Sequence, residues 1–478
     1  VVAAVLDGAT KNLTLQNQSV GTAATGFSLT YQLVQPNSNV YVTGGQNLTM
    51  IAKVGEVTAG SALTKYGAGT LVLGTSGTSN THAFTGGLTA NGGFVNIYSQ
   101  INLGSGTVTL NGATLQITQA GTPLSSVATR TFSMGADGGT ILLGSTTNAW
   151  TLLGPIAGAG RLTAAGSSTG SSQVLTLSGS GSNYAGGLTI TAGATVSTAL
   201  FANLGSAPSA PVADFLRLDN GTLSWTESGT VTTGSSNRGT TIGAGGGTVN
   251  VTSSSETLGF AGAFASDGAS VGTLTKTGAG TLRFTGANTY AGPTSVLAGL
   301  LRDNGTHVGA GSYLVASGAS YGGSGILTLA AGSAVNVGGT LTPGATLGGT
   351  TAFGTLTING DVAMSNAGSA GTLLVDVNPA STTPTDKLVV NGALNLAGSS
   401  VSLALTNDAS FATPLVFATY NTLAGTFANT QALADAGFAI DYAYQGNNIA
   451  LTAVPEPAAL GLLGLGGIGL LRRRRITR

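Results

Sequence analysis

The stretch LTKTGAGTLRFTGANTYAGPTSVLAGLL, residues 274 to 301, carries the pattern that decides the fold. Its centre, GTLRF at 280 to 284, is a glycine followed by side chains that alternate between polar and apolar. This period of two is typical of a β-strand with one buried face. The stretch therefore predicts a short strand that follows a glycine-containing turn and points Leu282 into a core.

The same phrase returns along most of the chain. In its first copy, GTLVL, we expect Leu71 and Leu73 to face inward while Thr70 and Val72 face outward. Asn-Gly pairs recur where strands must end, because both residues tolerate positive φ. No long apolar pattern of period 3.6 appears, so any helices are expected to be short. The copies are GTLVL at 69 to 73, GTVTL at 106 to 110, GATLQI at 112 to 117, GTILL at 139 to 143, GTLSW at 221 to 225, GTVNV at 247 to 251, GTLRF at 280 to 284 and GTLTI at 354 to 358.

Many short strands can build a sandwich, a barrel or a solenoid. A stack of coils extends strand by strand and buries a continuous narrow core, whereas a closed barrel has no use for so many short strands. The 78 glycines suit the tight corners of such a stack. We therefore predict an all-β chain that forms a solenoid with coils of about 20 to 25 residues. Strings of antiparallel β modules are the alternative.

The composition favours a folded, weakly charged protein. Hydrophobic residues make up 42% of the chain and charged residues only 7%, and cysteine is absent, which excludes disulfides and thiolate sites. The C-terminal tail holds five of the sixteen basic and one of the sixteen acidic residues, leaving 11 and 15 in residues 1 to 453. A mildly acidic body of this kind has no basic face for nucleic acid, which we therefore exclude as a partner.

The tail reads VPEPAALGLLGLGGIGLLRRRRITR, residues 454 to 478. Its apolar run, 458 to 471, has 14 residues. As a helix the run would cover roughly 21 Å, which is short of the ~30 Å hydrocarbon core of a bilayer. The arginine cluster would stay on the cytoplasmic side. We therefore predict a short C-terminal apolar helix that makes transient contact with a membrane.

Residues 274 to 301 resemble the autotransporter-associated β-strand repeat, a unit of secreted passenger-type β-helices. A second copy at 63 to 97 keeps the opening LTK, the GAGTL and the later Phe-Thr-Gly-Gly, and a third at 175 to 196 keeps the second half. The resemblance implies that the solenoid is a parallel, right-handed β-helix in an exported protein. From about Gly322 the pattern changes, and the Thr-Pro-Gly corner at 342 to 344 with the Asp386-Lys387 step resembles the β-rich module that often closes bacterial repeat proteins.

The tail resembles the PEP-CTERM sorting signal of Gram-negative bacteria that make extracellular polysaccharide. In that family exosortase, a membrane-embedded cysteine protease, recognises the Pro-Glu-Pro triplet and removes the tail during export. The resemblance implies an exosortase-type processing protease as partner, with the tail held transiently in the inner membrane. The implied sorting residues are the recognition triplet Pro455, Glu456 and Pro457, the anchor 458 to 471, and the stop-transfer charges Arg472, Arg473, Arg474 and Arg475.

These resemblances and the change of texture divide the chain into four predicted segments. The first is an N-terminal β segment or cap at 1 to 60, followed by the β-strand repeat solenoid at 61 to 321. A C-terminal β module occupies 322 to 453, and the sorting signal occupies 454 to 478. The last strand of the module, Asn448 to Ala453, would cap the stack, because a bare solenoid end exposes backbone that can pair with another chain.

The segment ADFLRLDNG at 213 to 221 contains a dense group of charged residues and is a candidate functional site. Asp214, Arg217 and Asp219 could hold a sugar or a metal. The alternative, which we favour, is a strand with Phe215, Arg217 and Asp219 on one face, where an exposed Arg-Asp pair contributes little. Neither histidine has an acid or a second histidine nearby in sequence, and both are predicted to lie at surface turns: His82 and His307. No catalytic residue, cofactor or metal is predicted.

The residues and the two resemblances together predict an exported cell-surface or extracellular-matrix protein that is structural or adhesive and not an enzyme. Its outward strand positions carry Thr, Ser, Asn and Gly, side chains that hydrogen-bond a polysaccharide but make poor bases. Expected partners are extracellular polysaccharide or further copies of the chain, bound weakly at many points. The alternatives are a surface β-helix polysaccharide lyase or glycoside hydrolase, and a non-catalytic carbohydrate-binding protein.

Overall fold

The computed structural model divides the chain into two compact units. Unit 1 comprises Val1–Leu282 with Gly286–Gly292, and unit 2 comprises Arg283–Thr285 with Pro293–Arg478. The structure describes residues 30–33, 36–51, 53–74, 81–118, 124–125, 130–144, 149–167, 173–227, 229, 231–344, 353–378, 385–405 and 413–453.

The described part of the chain is almost entirely β-strand. Up to residue 292 the strands are β1 Thr30–Leu33, β2 Asn37–Tyr41, β3 Asn47–Met50, β4 Lys53–Glu56, β5 Ala62–Tyr66, β6 Thr70–Leu73, β7 Gly87–Asn91, β8 Phe94–Ile97, β9 Val108–Asn111, β10 Ala113–Ile117, β11 Leu124–Ser125, β12 Phe132–Met134, β13 Gly139–Leu143, β14 Ala149–Leu152, β15 Ile156–Gly158, β16 Leu162–Gly166, β17 Val174–Leu177, β18 Leu188–Thr191, β19 Thr195–Thr198, β20 Val212–Asp219, β21 Gly221–Trp225, β22 Val231–Thr233, β23 Arg238–Ile242, β24 Gly247–Val251, β25 Thr257–Phe260, β26 Phe264–Ser266, β27 Leu274–Thr277, β28 Thr281–Phe284 and β29 Ala287–Asn288. Two 3₁₀ turns lie at Gln100–Leu103 and Phe201–Leu204.

From residue 293 onward the strands are β30 Thr294–Val296, β31 Gly299–Asp303, β32 Thr306–Ala310, β33 Tyr313–Val315, β34 Ala319–Gly323, β35 Ile326–Leu329, β36 Ala334–Val337, β37 Thr340–Pro343, β38 Thr355–Asn359, β39 Asp361–Ala363, β40 Ser365–Asn366, β41 Ser369–Ala370, β42 Thr372–Val377, β43 Lys387–Asn395, β44 Ser400–Leu405, β45 Leu415–Ala424, β46 Phe438–Tyr444 and β47 Asn448–Ala453. One short helix, α1, spans Thr430–Asp435.

Unit 1 is a parallel β-solenoid. Consecutive strands alternate between sheets, and each strand pairs in parallel with the strand one coil away. Leu71 on β6 is in register with Val95 on β8, and Val95 with Leu115 on β10, steps of 24 and 20 residues. The predicted parallel solenoid is confirmed here, since the strand pairings described for this unit are parallel. Some coils are longer than the predicted 20 to 25 residues, such as the 28-residue step from Ile190 to Leu218. The sheet orders are β26-β23-β20-β18-β16-β13-β10-β8-β6-β3, β15-β12-β9-β7-β5-β2 and, in the third sheet, β11-β14-β17-β19-β21-β24-β27.

A column of aliphatic side chains forms the core of unit 1. Leu71 and Leu73 are fully buried, whereas Thr70 and Val72 are only half-buried, as the alternation in GTLVL predicts. Each fully buried leucine contributes about 1.5 to 3 kcal/mol relative to an exposed one. The register aligns one inward residue from each coil: Leu71, Val95, Leu115, Ile141, Ala164, Ile190, Leu218 and Ile242.

The close approach of successive coils explains much of the high glycine content of the chain. A Cβ atom on Gly160 would lie 1.7 Å from the carbonyl oxygen of Gly135, and one on Gly86 would lie 2.1 Å from that of Gly60. No side chain fits at such distances, since the obstacle is backbone and not a flexible group. The corners of the solenoid therefore require glycine for steric reasons.

Unit 2 is also a parallel stack, and it ends differently. Strands β31-β34-β37-β42-β44 form one sheet, and β43 pairs with β38 and β39 through its two halves. The unit closes with β47, which pairs antiparallel with both β45 and β46. This confirms the predicted β-rich C-terminal end and the predicted strand over Asn448–Ala453. The predicted sorting helix lies outside the described residues, and no helix among the described residues has the length and apolar character needed to cross a membrane.

Candidate functional site

The lysine of the LTK motif is an internal residue. Lys65 and Lys276 are both fully buried. The Lys65 Nζ donates to the carbonyl oxygen of Gly92 at 2.8 Å, and the Lys276 Nζ donates to that of Gly278 at 2.9 Å. Burial lowers the pKa of each lysine to about 8. The repeat lysines therefore bind turn carbonyls inside the coil. The sequence-based prediction did not include these buried lysines. The alternation did carry a signal for them, because Lys276 lies two residues after inward Leu274 and so faces the same side of the strand.

The outer surface of unit 1 carries regular columns of hydroxyl groups. We define the hydroxyl face as two columns on strands β19, β21, β24 and β27. Neighbouring strands lie about 4.8 Å apart and alternate residues of one strand roughly 7 Å apart, so the groups form a two-dimensional array. All are half-buried except Ser224, which is 8% exposed. The columns are Thr195, Thr222, Thr248 and Thr275, and beside them Ser197, Ser224, Asn250 and Thr277.

The structure brings Asp214, Arg217 and Asp219 together and adds two residues that are distant in sequence. The Arg217 guanidinium lies 3.9 Å from the carboxylates of both Asp214 and Asp219 and is hydrogen-bonded to Asp267. The Arg161 guanidinium lies 3.4 Å from the Asp214 carboxylate. Two arginines and three aspartates thus form one partly exposed network on the sheet surface.

The electrostatics of this network do not favour acid–base catalysis. The hydrogen bond from Arg217 lowers the pKa of Asp267, and the same bond raises the pKa of Arg217. A carboxylate held ionised by a guanidinium makes a poor general acid. The side chains are 24% to 48% exposed, so water screens their attraction.

The prediction that Phe215 shares a face with Arg217 and Asp219 was wrong. Phe215 is only 2% exposed, whereas Arg217 and Asp219 are half-buried on the outer face. The register of β20 against β23 shifts between Val212 and Leu216, which breaks the simple alternation. An irregularity of this kind re-aims side chains at the start of a strand.

The prediction of surface histidines was also wrong. His82 is 2% exposed, and its Nδ1 accepts a hydrogen bond from the Val54 amide at 2.9 Å. Burial lowers the pKa of His82 to about 4, so the ring is neutral at physiological pH. His307 is fully buried, with Nδ1 2.7 Å from the Tyr313 hydroxyl oxygen. Turn-rich flanking sequence does not reveal burial, because the next coil covers these positions.

Among the described residues, no three or more His, Cys, Asp or Glu side chains lie together in a way that could hold a metal ion. The sorting residues Pro455, Glu456, Pro457 and the arginines from Arg472 to Arg475 lie outside the described residues.

Comparison with known families identifies both resemblances. The chain matches the passenger-associated transport repeat at residues 63–97, 169–196 and 274–302. It matches the PEP-CTERM protein-sorting motif at residues 453–475. Both family assignments made from the sequence are thereby confirmed for these segments.

The chain is also similar to a curated protein, the adhesin BmaC autotransporter of Brucella suis biovar 1 (strain 1330). The two are 42% identical over 198 residues, which is 38% of this chain. The match covers only 5% of the adhesin, so the chain corresponds to a small part of that protein's length.

Proposed function

We propose that the chain is an exported structural protein with an adhesive surface. The observation that carries this proposal is the presence, on one chain, of passenger-type repeats and a PEP-CTERM motif. The similarity to part of an autotransporter adhesin supports the adhesive role. The four-segment organisation, with the N-terminal segment at 1 to 60, the solenoid at 61 to 321, the module at 322 to 453 and the sorting signal at 454 to 478, belongs to the same proposal.

We infer that the tail directs export and is then removed. In a Gram-negative host that has an exosortase, protein recovered from the cell surface should lack Arg472 to Arg478. Intact-mass measurement would show a chain ending near 454 to 457. A variant with Glu456→Ala should keep the full mass and remain with the membrane fraction. Recovery of surface protein that still carries the arginines would contradict the proposal.

The hydroxyl face is the surface that we propose for adhesion. Its array of neutral donors and acceptors suits weak contacts to a hydrated polysaccharide, and several weak contacts reinforce one another. The double change Thr222→Val and Thr248→Val removes two hydroxyls while keeping β-branched side chains. We expect it to weaken binding of the full chain to immobilised extracellular polysaccharide of the producing bacterium by about tenfold, since each lost hydrogen bond is worth roughly 0.5 to 1.5 kcal/mol. Surface plasmon resonance would measure this change.

The matched control for the hydroxyl face is the pair Thr222→Ser and Thr248→Ser, which keeps both hydroxyls. It should bind like the unaltered chain. Equal binding by the valine and serine pairs would remove the hydroxyl face from the proposal.

A non-enzymatic role completes the proposal. The guanidinium groups of Arg161 and Arg217 pair with the carboxylates of the densest acidic group, and buried His82 is neutral and held by a backbone amide. These arrangements favour the adhesive reading over a lyase or hydrolase. A polysaccharide-cleaving activity that disappears in Asp214→Ala would instead identify the network around Arg217 as an active site.

A further inference from the structure

Unit 2 contains an uncharged polar cavity that neither the repeats nor the sorting signal accounts for. It has a volume of about 300 Å³, at the lower end of the range for small-molecule sites. The lining comes from β43, β45, the start of β47 and the turn before it. We call it the asparagine pocket, and its lining residues are Val390, Asn391, Thr419, Tyr420, Asn421, Asn447 and Asn448.

Hydrogen bonds inside the protein fix how two of these asparagines present themselves. The Asn447 Nδ2 donates to the carbonyl oxygen of Asn421 at 3.1 Å, and the Asn448 Nδ2 donates to that of Tyr444 at 2.9 Å. A backbone carbonyl only accepts, so the side-chain atom facing it must be the amide nitrogen. The amide oxygen of each asparagine is then left as the group available to a ligand.

The Asn391 side chain is also held by hydrogen bonds, which run to the neighbouring strands β38 and β35. Its Nδ2 donates to the Asn359 Oδ1 at 2.8 Å, and the Asn359 Nδ2 donates to the Thr328 hydroxyl at 2.8 Å. This chain of amides holds the Asn391 side chain in place at the pocket. Ordering of the side chains before binding reduces the entropy that a ligand would have to overcome.

Two further lining residues, Tyr420 and Val390, are held by the fold. The Tyr420 hydroxyl donates to the carbonyl oxygen of Tyr442 at 2.6 Å, which ties the ring in position. Val390 is buried. Amide oxygens in an uncharged lining suit a sugar, which presents a rim of hydroxyl donors.

The charge around the pocket selects against acidic sugars. None of the seven lining residues carries a charge. The neighbouring Asp361 carboxylate accepts from the Ala393 amide at 2.8 Å, two residues from Asn391, and adds negative charge nearby. None of the seven lining residues supplies a cation that could pair with a uronate.

We propose that the asparagine pocket binds one neutral sugar residue of a polysaccharide, whose hydroxyl groups donate to the side-chain oxygens of the lining asparagines and of Thr419. This inference rests on the proposed adhesive function and names a site for it in unit 2, separate from the hydroxyl face. A neutral glucan is the expected ligand class.

The test uses isothermal titration calorimetry of the full chain with dextran, xyloglucan and polygalacturonate. The altered protein carries Asn421→Ala and Thr419→Val, which remove polar groups from the lining without touching the anchored amides. We expect binding to dextran or xyloglucan and at least about tenfold weaker binding by the altered protein, because two hydrogen bonds are lost. The control Asn47→Ala changes an exposed asparagine of unit 1 and should bind like the unaltered chain.

Circular dichroism would establish that all three proteins are folded. Unchanged neutral-glucan binding by the double variant would overturn the pocket while leaving adhesion through the hydroxyl face intact. Binding of polygalacturonate alone would overturn the assignment to neutral sugars. If neutral glucan binds to no form of the chain, the pocket proposal fails, and surface plasmon resonance on extracellular polysaccharide of the producing bacterium decides the adhesive function separately.

Discussion

Replacing Leu71 with aspartate is expected to lower the free energy of unfolding of unit 1 by about 3 to 5 kcal/mol, because an unpaired carboxyl group would replace a core side chain. Leu71 is fully buried and lies in register between Leu48 and Val95 of the neighbouring coils. Both tryptophans, Trp150 and Trp225, belong to unit 1. Their fluorescence during urea denaturation would therefore report this unit.

The neighbouring residue provides the control for this substitution. Val72 lies on the same strand but is half-buried and faces outward, beside Thr49 and Asn96. Val72→Asp should cost less than about 1 kcal/mol, since its carboxylate keeps contact with water. Similar losses for the two variants would contradict the assignment of inward and outward positions.

Unit 2 is expected to be more stable at pH 5 than at pH 8. Asp303 is 1% exposed, and burial raises its pKa to about 7. In the unfolded chain an aspartate has a pKa near 3.9, so between about pH 4 and pH 7 the folded state holds a proton that the unfolded state releases. The stabilisation is therefore largest at low pH and is lost as the pH rises toward 7. For Asp303 alone the difference is on the order of 2 kcal/mol.

A second carboxyl group acts in the same direction. Burial, with a further contribution from Asp376, raises the pKa of Asp386 to about 7. Asp386 accepts a hydrogen bond from the Gly354 amide at 2.9 Å. Gly344 packs against the same carboxyl group so closely that a Cβ atom on residue 344 would lie 2.3 Å from the Asp386 Oδ1. Asp386 is therefore a second buried carboxyl group of unit 2 with a pKa near neutrality.

Hydrogen exchange followed by mass spectrometry on unit 2 peptides, corrected for intrinsic rates, would measure the pH effect. Asp303→Asn keeps the shape and the bond from the Gly305 amide but cannot ionise, so it should remove a large part of the pH dependence. Asp441→Asn, an exposed control, should leave it unchanged. An undiminished dependence in Asp303→Asn would assign the effect to other groups.

The local pattern predicted the strands, but not every inward residue. Alternation in GTLVL predicted the buried faces of β6, because side chains of a strand point to opposite faces whatever the neighbours are. The same rule applied to Leu274 and Lys276 predicts an inward lysine, yet a charge is ordinarily placed outside. The turn carbonyls that accept from the Lys276 ammonium make burial possible, and their position depends on the glycine turn that follows.

The local sequence pattern does not predict contacts between residues that are far apart in the sequence. Arg217 meets Asp267 across 50 residues, and Arg161 meets Asp214 across 53. The coil lengths of unit 1 vary from 20 to 28 residues, as the steps Val95 to Leu115 and Ile190 to Leu218 show. No constant period therefore predicts which outward side chains become neighbours.

The sequence by itself determined the repeat, the all-β solenoid class and the sorting motif, because each is encoded in a short run of adjacent residues. Only the tertiary structure decided that His82 and His307 are buried, that the hydroxyl columns align and that Asn391, Asn421 and Asn447 share a cavity. The physical reason is register: neighbours on a parallel stack are chosen by backbone pairing between coils, and corner lengths set that pairing.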